Sequence, residues 1–397
     1  MRVLTALVLG LLLQAAGSSA EDDRAQYPPY LANSYFGVGA GYIDYPFSQR
    51  LLEPGFQAES IKIPHGAGRV VLLGHEFNRY LAAQVVYIRP AQWVSYQNIN
   101  GIQAGRSVWM NIGGLTMRGS LPLGKQLFLD AEAGGGVVTR HGFSLEGIPT
   151  VKDASYWTVL LGGGLRYRLN ESWDLDANAT YSPSEERVRQ PRTLMLSAGF
   201  TRILRPLPEE RVRENTNSGF VFPRNLLQVG YSTDFAGFQA NKVVSGGGVP
   251  IFWGGLAQVE GGLTLRYQRN VFHTRRVFSF DLGLSAAHWK SRFDGAGFYT
   301  ASMFPEFRFT PLHMGSADLY FNYSLAGPTT ISRVTIDGND TGRHFTFQDF
   351  MGMGIYAGKT RRWNAEIQIG HYSNGNLFPQ NAGVSIPLTF MLGYTFH

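Results

Sequence analysis

Much of this chain carries a two-residue hydrophobic period. In its last hairpin Trp363, Ala365, Ile367 and Ile369 alternate with Asn364, Glu366 and Gln368, as in a strand with one apolar and one polar face. Ile386, Leu388, Phe390, Leu392, Tyr394 and Phe396 likewise alternate with Thr389, Met391, Gly393 and Thr395. Near the start Phe36, Val38, Ala40 and Tyr42 alternate with Gly37, Gly39 and Gly41. The pattern predicts strands from Tyr35 to about residue 42, then near 68–75, 81–89, 108–118, 127–137, 157–169, 173–182 and 193–202. A second series is predicted near 225–233, 255–268, 277–289, 297–309, 317–326, 346–358, 363–373 and 386–396. Apolar-outward strands with small or polar inward positions, joined by alternating long and short connections, predict an all-β transmembrane antiparallel barrel. The short connections face the periplasm, and so does the N-terminus.

The run from Arg205 to Asn215, with Pro206, Pro208 and six charged side chains, breaks this period. It divides residues 21–202, an N-terminal outer-membrane barrel, from residues 224–397, a C-terminal barrel, with 203–223 as a periplasmic linker. Two tandem eight-stranded barrels are therefore expected, and one sixteen-stranded barrel is the alternative. Residues 1–20, with Arg2, an apolar run from Val3 to Leu13 and then Gly17-Ser18-Ser19-Ala20, read as a secretory signal peptide. The run is too short for a membrane-spanning helix, and no later segment offers the ~20 apolar residues one needs.

Composition agrees with a barrel: 48 glycines and 13% aromatic against 16% charged residues suit a crowded lumen, interfacial aromatic girdles and little water-facing exterior. The net charge of +6 suits anionic lipid headgroups. It is not clustered into the patch that nucleic acid requires, so no nucleic-acid partner is expected. The chain has no cysteine, which excludes thiol chemistry. No cofactor or metal is expected: His75-Glu76 lacks the second histidine of a zinc helix, Arg79 standing in its place, and Asp337-Gly338-Asn339-Asp340 is only part of a calcium loop.

Continuing the parity of 363–369 puts His371 and Ser373 on the lipid-facing side of one strand, near its outer end. A base and a hydroxyl are thus side by side where acylated lipid would meet them. On the preceding strand Asp349 is the one charge on the apolar row of Phe347, Met351, Met353 and Ile355. Register places it within a neighbouring position of His371, if His371 lies opposite Phe350. Glu366 has lumen parity.

The residues His371-Tyr372-Ser373-Asn374-Gly375, then Asn381-x-Gly383, and the preceding Phe347-Gln348-Asp349 resemble the lipid A 3-O-deacylases, or acyloxyacyl hydrolases, of Gram-negative outer membranes. The resemblance covers the second half of the chain at most. It implies that His371 and Ser373 belong to a catalytic triad on the lipid-facing wall, and that Asn374 and Asn381 serve the oxyanion site. The family's third member is a glutamate, and in the matching place this chain has Ser385, whose parity points inward. The expectation is an outer-membrane esterase that cleaves an ester-linked acyl chain of lipid A, with lipopolysaccharide and membrane lipids as partners. Asp349 is the candidate orienting acid and Ser385 the possible replacement for the family's glutamate. The alternative is a non-catalytic structural or adhesive barrel that keeps the motif as a remnant. The first barrel shows no catalytic constellation, and homodimerisation is left open.

Overall fold

The computed structural model describes residues 23–245 and 255–396; the expected signal peptide lies outside them. The first eight barrel strands are β1 (Ser34–Asp44), β2 (Gly66–Glu76), β3 (Leu81–Pro90), β4 (Ile102–Pro122), β5 (Leu127–His141), β6 (Ala154–Asn170), β7 (Trp173–Ser182) and β8 (Thr193–Ile203). The ring closes because β8 pairs with β1 and every other strand pairs antiparallel with its neighbours in sequence. The next eight are β9 (Asn225–Thr233), β10 (Ala257–His273), β11 (Phe278–Ser291), β12 (Gly297–Met314), β13 (Ala317–Ile331), β14 (Phe345–Ala357), β15 (Trp363–Ser373) and β16 (Val384–Phe396). They close through β16 and β9. Two closed eight-stranded barrels replace the sixteen-stranded alternative. Among the described residues no helix is long and apolar enough to cross a membrane; strands do the crossing.

The two-residue period sets what each barrel encloses. Outward positions of β16 leave Leu392 70% exposed, which lipid accepts, while inward positions carry paired charge. In the second lumen Arg266 donates to Glu366 Oε1 at 3.4 Å and Gln368 Oε1 at 2.9 Å. Arg308 bonds Asp281, Glu306 Oε1 at 2.6 Å and Gln268 Oε1 at 2.7 Å. The first lumen has the same design, with Arg166 on Asp130 at 2.8 Å and Asp174 at 2.9 Å. These groups are out of water, so each charge depends on its partner. The lumen is also crowded enough to demand glycine: a Cβ at Gly354 would lie 2.4 Å from the Tyr320 ring.

Three stretches differ from the sequence reading. Residues 203–223, expected to lack regular structure, contain helix α1 (Glu209–Thr216); Pro208 at its cap and Glu209 and Glu210 in its first turn favour that start. Asn215 donates to the Ala25 carbonyl at 3.0 Å, Arg24 donates to Phe222 O at 2.9 Å and Asn270 Oδ1 at 3.1 Å, and Tyr27 packs on Phe272 with centroids 4.6 Å apart. The segment ahead of β1 and the connection between the barrels are therefore seated together beneath the second barrel. The expected loop 234–254 carries helix α2 (Gln239–Ser245). β13 runs to Ile331, five residues beyond the expected end. It crosses Gly327-Pro328 by a bulge between Ser324 and Gly327, since proline is tolerated in a strand where the ladder is already interrupted.

Arg308→Leu is expected to destabilise the second barrel by about 3–5 kcal/mol, because it strands Asp281 and Glu306 in the lumen without their cation. Urea unfolding of the detergent-solubilised protein, followed by gel mobility without heating, measures it; an unchanged midpoint would contradict a structural role for the network.

Candidate active site

Three adjacent strands bring the sequence-predicted residues into one row. Antiparallel register sets His371 on β15 directly opposite Asp349 on β14 and, on its other side, opposite Ser385 on β16. Asp349 is thus one residue nearer than expected, because the β14–β15 turn pairs Ala357 with Trp363 rather than Gly358. Asp349 Oδ2 lies 3.6 Å from His371 Nδ1, near enough to attract an imidazolium and longer than a formed hydrogen bond.

The opposite parity of β15 belongs to the lumen: Glu366 and Gln368 meet Arg266, and Tyr372 meets Thr300 Oγ1 at 3.0 Å and Gln348 at 3.2 Å. Asp349, His371 and Ser373 therefore take the outer face. His371 is nonetheless only 2% exposed, so the expectation that its ring meets open lipid is corrected. Ser373, the last residue of β15, lies two residues further toward the outer rim, opposite Phe347.

Two bulges shape this row. At the β13 bulge Ala326 adopts φ +55, a left-handed conformation uncommon for a residue with a Cβ. Its N–H is thereby free of the ladder and donates to Asp349 Oδ1 at 2.6 Å. A backbone amide thus holds one oxygen of the carboxylate while the other faces His371. The second irregularity lies on β16, where register shifts between Gln368 and Gly370 of its partner strand. One extra residue at Pro387-Leu388 turns Ser385 onto the same face as His371, against the inward parity expected for it. Proline inside that strand was the readable signal. Ser385 is covered: a Cβ on Gly255 would come within 2.8 Å of its Oγ. Asn241 of α2 donates to the carbonyls of Gly370 at 3.4 Å and Ile386 at 2.9 Å, beside the bulge.

Beyond Ser373 the chain makes a tight turn. Gly375 (φ +61) and Asn376 (φ +59) are both left-handed, and Leu377 N–H closes on Asn374 O at 3.1 Å, the dihedral signature of a type I′ turn. Asn374 and Asn381 hold this loop together. Asn374 is fully buried, and its side-chain amide donates to Thr341 O at 3.0 Å and Gln380 O at 2.6 Å. Its backbone N–H donates to Asn381 Oδ1 at 2.9 Å, and Asn381 Nδ2 donates to Asn376 Oδ1 at 2.7 Å. Gly342 makes room: at φ +105, a Cβ there would meet Asn374 Nδ2 and Gln380 O at 2.6 Å. The side-chain donors of Asn374 and its backbone amide are thus engaged, and the next amides in sequence from Ser373 are those of Gly375 and Asn376, on the turn. The backbone amides beside Asn374 were expected from the sequence as oxyanion donors, whereas the amide of Ala326 and the cradle at Gly342 were not singled out from it.

The family profile described as lipid A 3-O-deacylase (PagL) matches residues 261–395, so the resemblance read from the motif holds over the second barrel, and the first barrel falls outside it. No curated protein matches the chain. Among solved structures, the outer membrane enzyme PagL is 15% identical, covering 43% of this chain and 99% of its own, with TM-score 0.31. Neisserial surface protein A is 16% identical, with coverages of 43% and 97% and TM-score 0.30. The attachment invasion locus protein Ail of Yersinia pestis, solved with the heparin analogue sucrose octasulfate, is 15% identical, with coverages of 43% and 99% and TM-score 0.28. The chain is an outer-membrane β-barrel protein whose second barrel is similar to the deacylase family.

Restoring the family's acid by Ser385→Glu is expected to cost stability, about 1–3 kcal/mol from overpacking against Gly255 alone. The urea midpoint of the second barrel measures it; a midpoint equal to that of the parent protein would mean that the segment at Gly255 yields freely.

Proposed function

We propose that the second barrel hydrolyses an ester-linked acyl chain of lipid A in the outer leaflet, with Ser373 as nucleophile, His371 as base and Asp349 as the acid that orients His371. The observation that carries this reading is the register of Asp349 opposite His371, with the carboxylate held by the Ala326 amide and 3.6 Å from the ring. A carboxylate on the outer face of a membrane strand is costly unless it is paired, and this one is paired with the one base of the motif.

His371 takes the Ser373 proton as Oγ attacks the ester carbonyl, giving a tetrahedral oxyanion. The backbone amides of Gly375 and Asn376 are the proposed oxyanion donors, with Asn374 and Asn381 holding their turn in shape. Collapse breaks the acyl C–O bond, and His371 returns its proton to the departing sugar hydroxyl. Water, deprotonated by His371, then attacks the acyl-serine. Free fatty acid leaves, and the proton returns to Ser373. The Asp349 carboxylate offsets the imidazolium charge. Ser385, opposite His371 but short and uncharged, cannot supply that charge.

The replacement of the family's glutamate by Ser385 favours one other reading, a non-catalytic barrel that keeps the fold and the motif. The two differ in what purified protein does to lipopolysaccharide. Ser373→Ala and His371→Ala are each expected to abolish fatty-acid release while both barrels stay folded, read by mass spectrometry of lipid A and by gel mobility. Asp349→Asn is expected to lower the rate ~10²- to 10⁴-fold, and Ser385→Ala to change it by less than about threefold. Equal acyl loss with parent protein and Ser373→Ala would sink the hydrolase reading. A silent Asp349→Asn beside an inactive Ser385→Ala would move the orienting role to β16.

A further inference from the structure

The turn beyond Ser373 leans on the other barrel. Leu377 O accepts from Thr139 Oγ1 at 2.9 Å and from Ser155 Oγ at 3.5 Å. Gln380 Nε2 donates to Asp153 Oδ2 at 2.9 Å, and the other oxygen of Asp153 is held by the Gly142 amide at 2.8 Å and faces His141 Nδ1 at 3.0 Å. Tyr87 Oη reaches toward Gly375 O at 3.4 Å. These residues sit on β3, β5, β6 and the loop before β6.

Parity shows that this is the outer wall of the first barrel. Gln84, Arg118, Glu132 and Arg166 face its lumen, so Tyr87, Gly113, Thr139 and Ser155 face outward. An outward threonine at membrane depth would ordinarily be exposed, yet Thr139 is 1% exposed. The loop covers it. Beside it Gly113 leaves a notch, and a Cβ there would touch Leu377 Cδ2 at 3.4 Å. A side chain larger than alanine would displace Leu377.

We infer that the first barrel braces the oxyanion turn of the second: Thr139 and the notch at Gly113 are positioning residues that fix the Gly375 and Asn376 amides relative to Ser373. The inference rests on the hydrolase reading above. The reason for a brace lies in the turn itself. Asn374 and Asn381 tie its base to the second barrel, whereas its tip, at Leu377, bonds backward through its own N–H to Asn374 and outward through its carbonyl to Thr139 of the first barrel. Donors for an oxyanion act through preorganisation, so a tip free to shift would lose its effect as a rate and not as affinity.

The test uses full-length protein in detergent, with lipopolysaccharide as substrate and fatty-acid release measured against substrate concentration. Thr139→Val removes the donor with little change of shape, Gly113→Phe fills the notch with a side chain that a lipid-facing wall accepts, and Thr139→Ser restores the hydroxyl. Gly113→Phe and Thr139→Val are expected to lower kcat about 10- to 100-fold with KM nearly unchanged, both barrels staying heat-modifiable, and Thr139→Ser to keep the parent kcat. A merely structural role would lower the amount of folded protein and leave kcat per folded molecule alone. Active parent protein, inactive Ser373→Ala and parental kcat in both brace variants would overturn the brace and leave the hydrolase reading standing. Parent protein no more active than Ser373→Ala would overturn both.

Discussion

Hydrocarbon offers no hydrogen-bond partner, so every backbone amide between the two headgroup layers must find its carbonyl within the sheet. The rest of the molecule depends on that constraint. It forces each sheet to close on itself, through β8 and β1 and through β16 and β9. Closure fixes two faces whose residues alternate strictly. The outer face is selected for apolar bulk and the inner face for paired charge such as Arg266 with Glu366, and residues on neither row are rare.

A regular ladder cannot build a reactive site, because all its amides are spent and its side chains point only in or out. The candidate site lies where regularity lapses. The bulge at Ala326 releases one N–H, which anchors Asp349. The bulge at Pro387-Leu388 changes the face on which Ser385 stands. The left-handed pair Gly375 and Asn376 ends the strand and turns two amides out of the sheet. Each departure is local, and the surrounding ladder is rigid enough to hold it, as bulges beside functional sites commonly are.

This division explains what could be read from the sequence. Alternation is a strong signal, so the strands, their sides and the association of His371 with Ser373 were legible, and Asp349 stood out as the one charge on an apolar row. The displaced parity of Ser385 was not, because a single inserted residue reverses every later assignment and alternation alone cannot reveal it. Pro387 and Gly327-Pro328 marked both bulges, yet proline and glycine read as readily as loop, and β13 was accordingly ended too early. Helix α1 escaped because its eight residues carry no apolar stripe; contacts with the segment near Ala25, far away in sequence, seat it. The embrace of the two barrels was invisible for the same reason, since Thr139 and Leu377 are ordinary residues until they meet.

The segment ahead of β1 also bears on the order of assembly. Arg24 and Tyr27 rest on Asn270 and Phe272, which lie at the C-terminal end of β10, more than 200 positions later in the chain. The residues before the first strand therefore cannot reach their final seat until the second barrel has formed that end. The earliest part of the described chain is thus among the last to settle into its contacts.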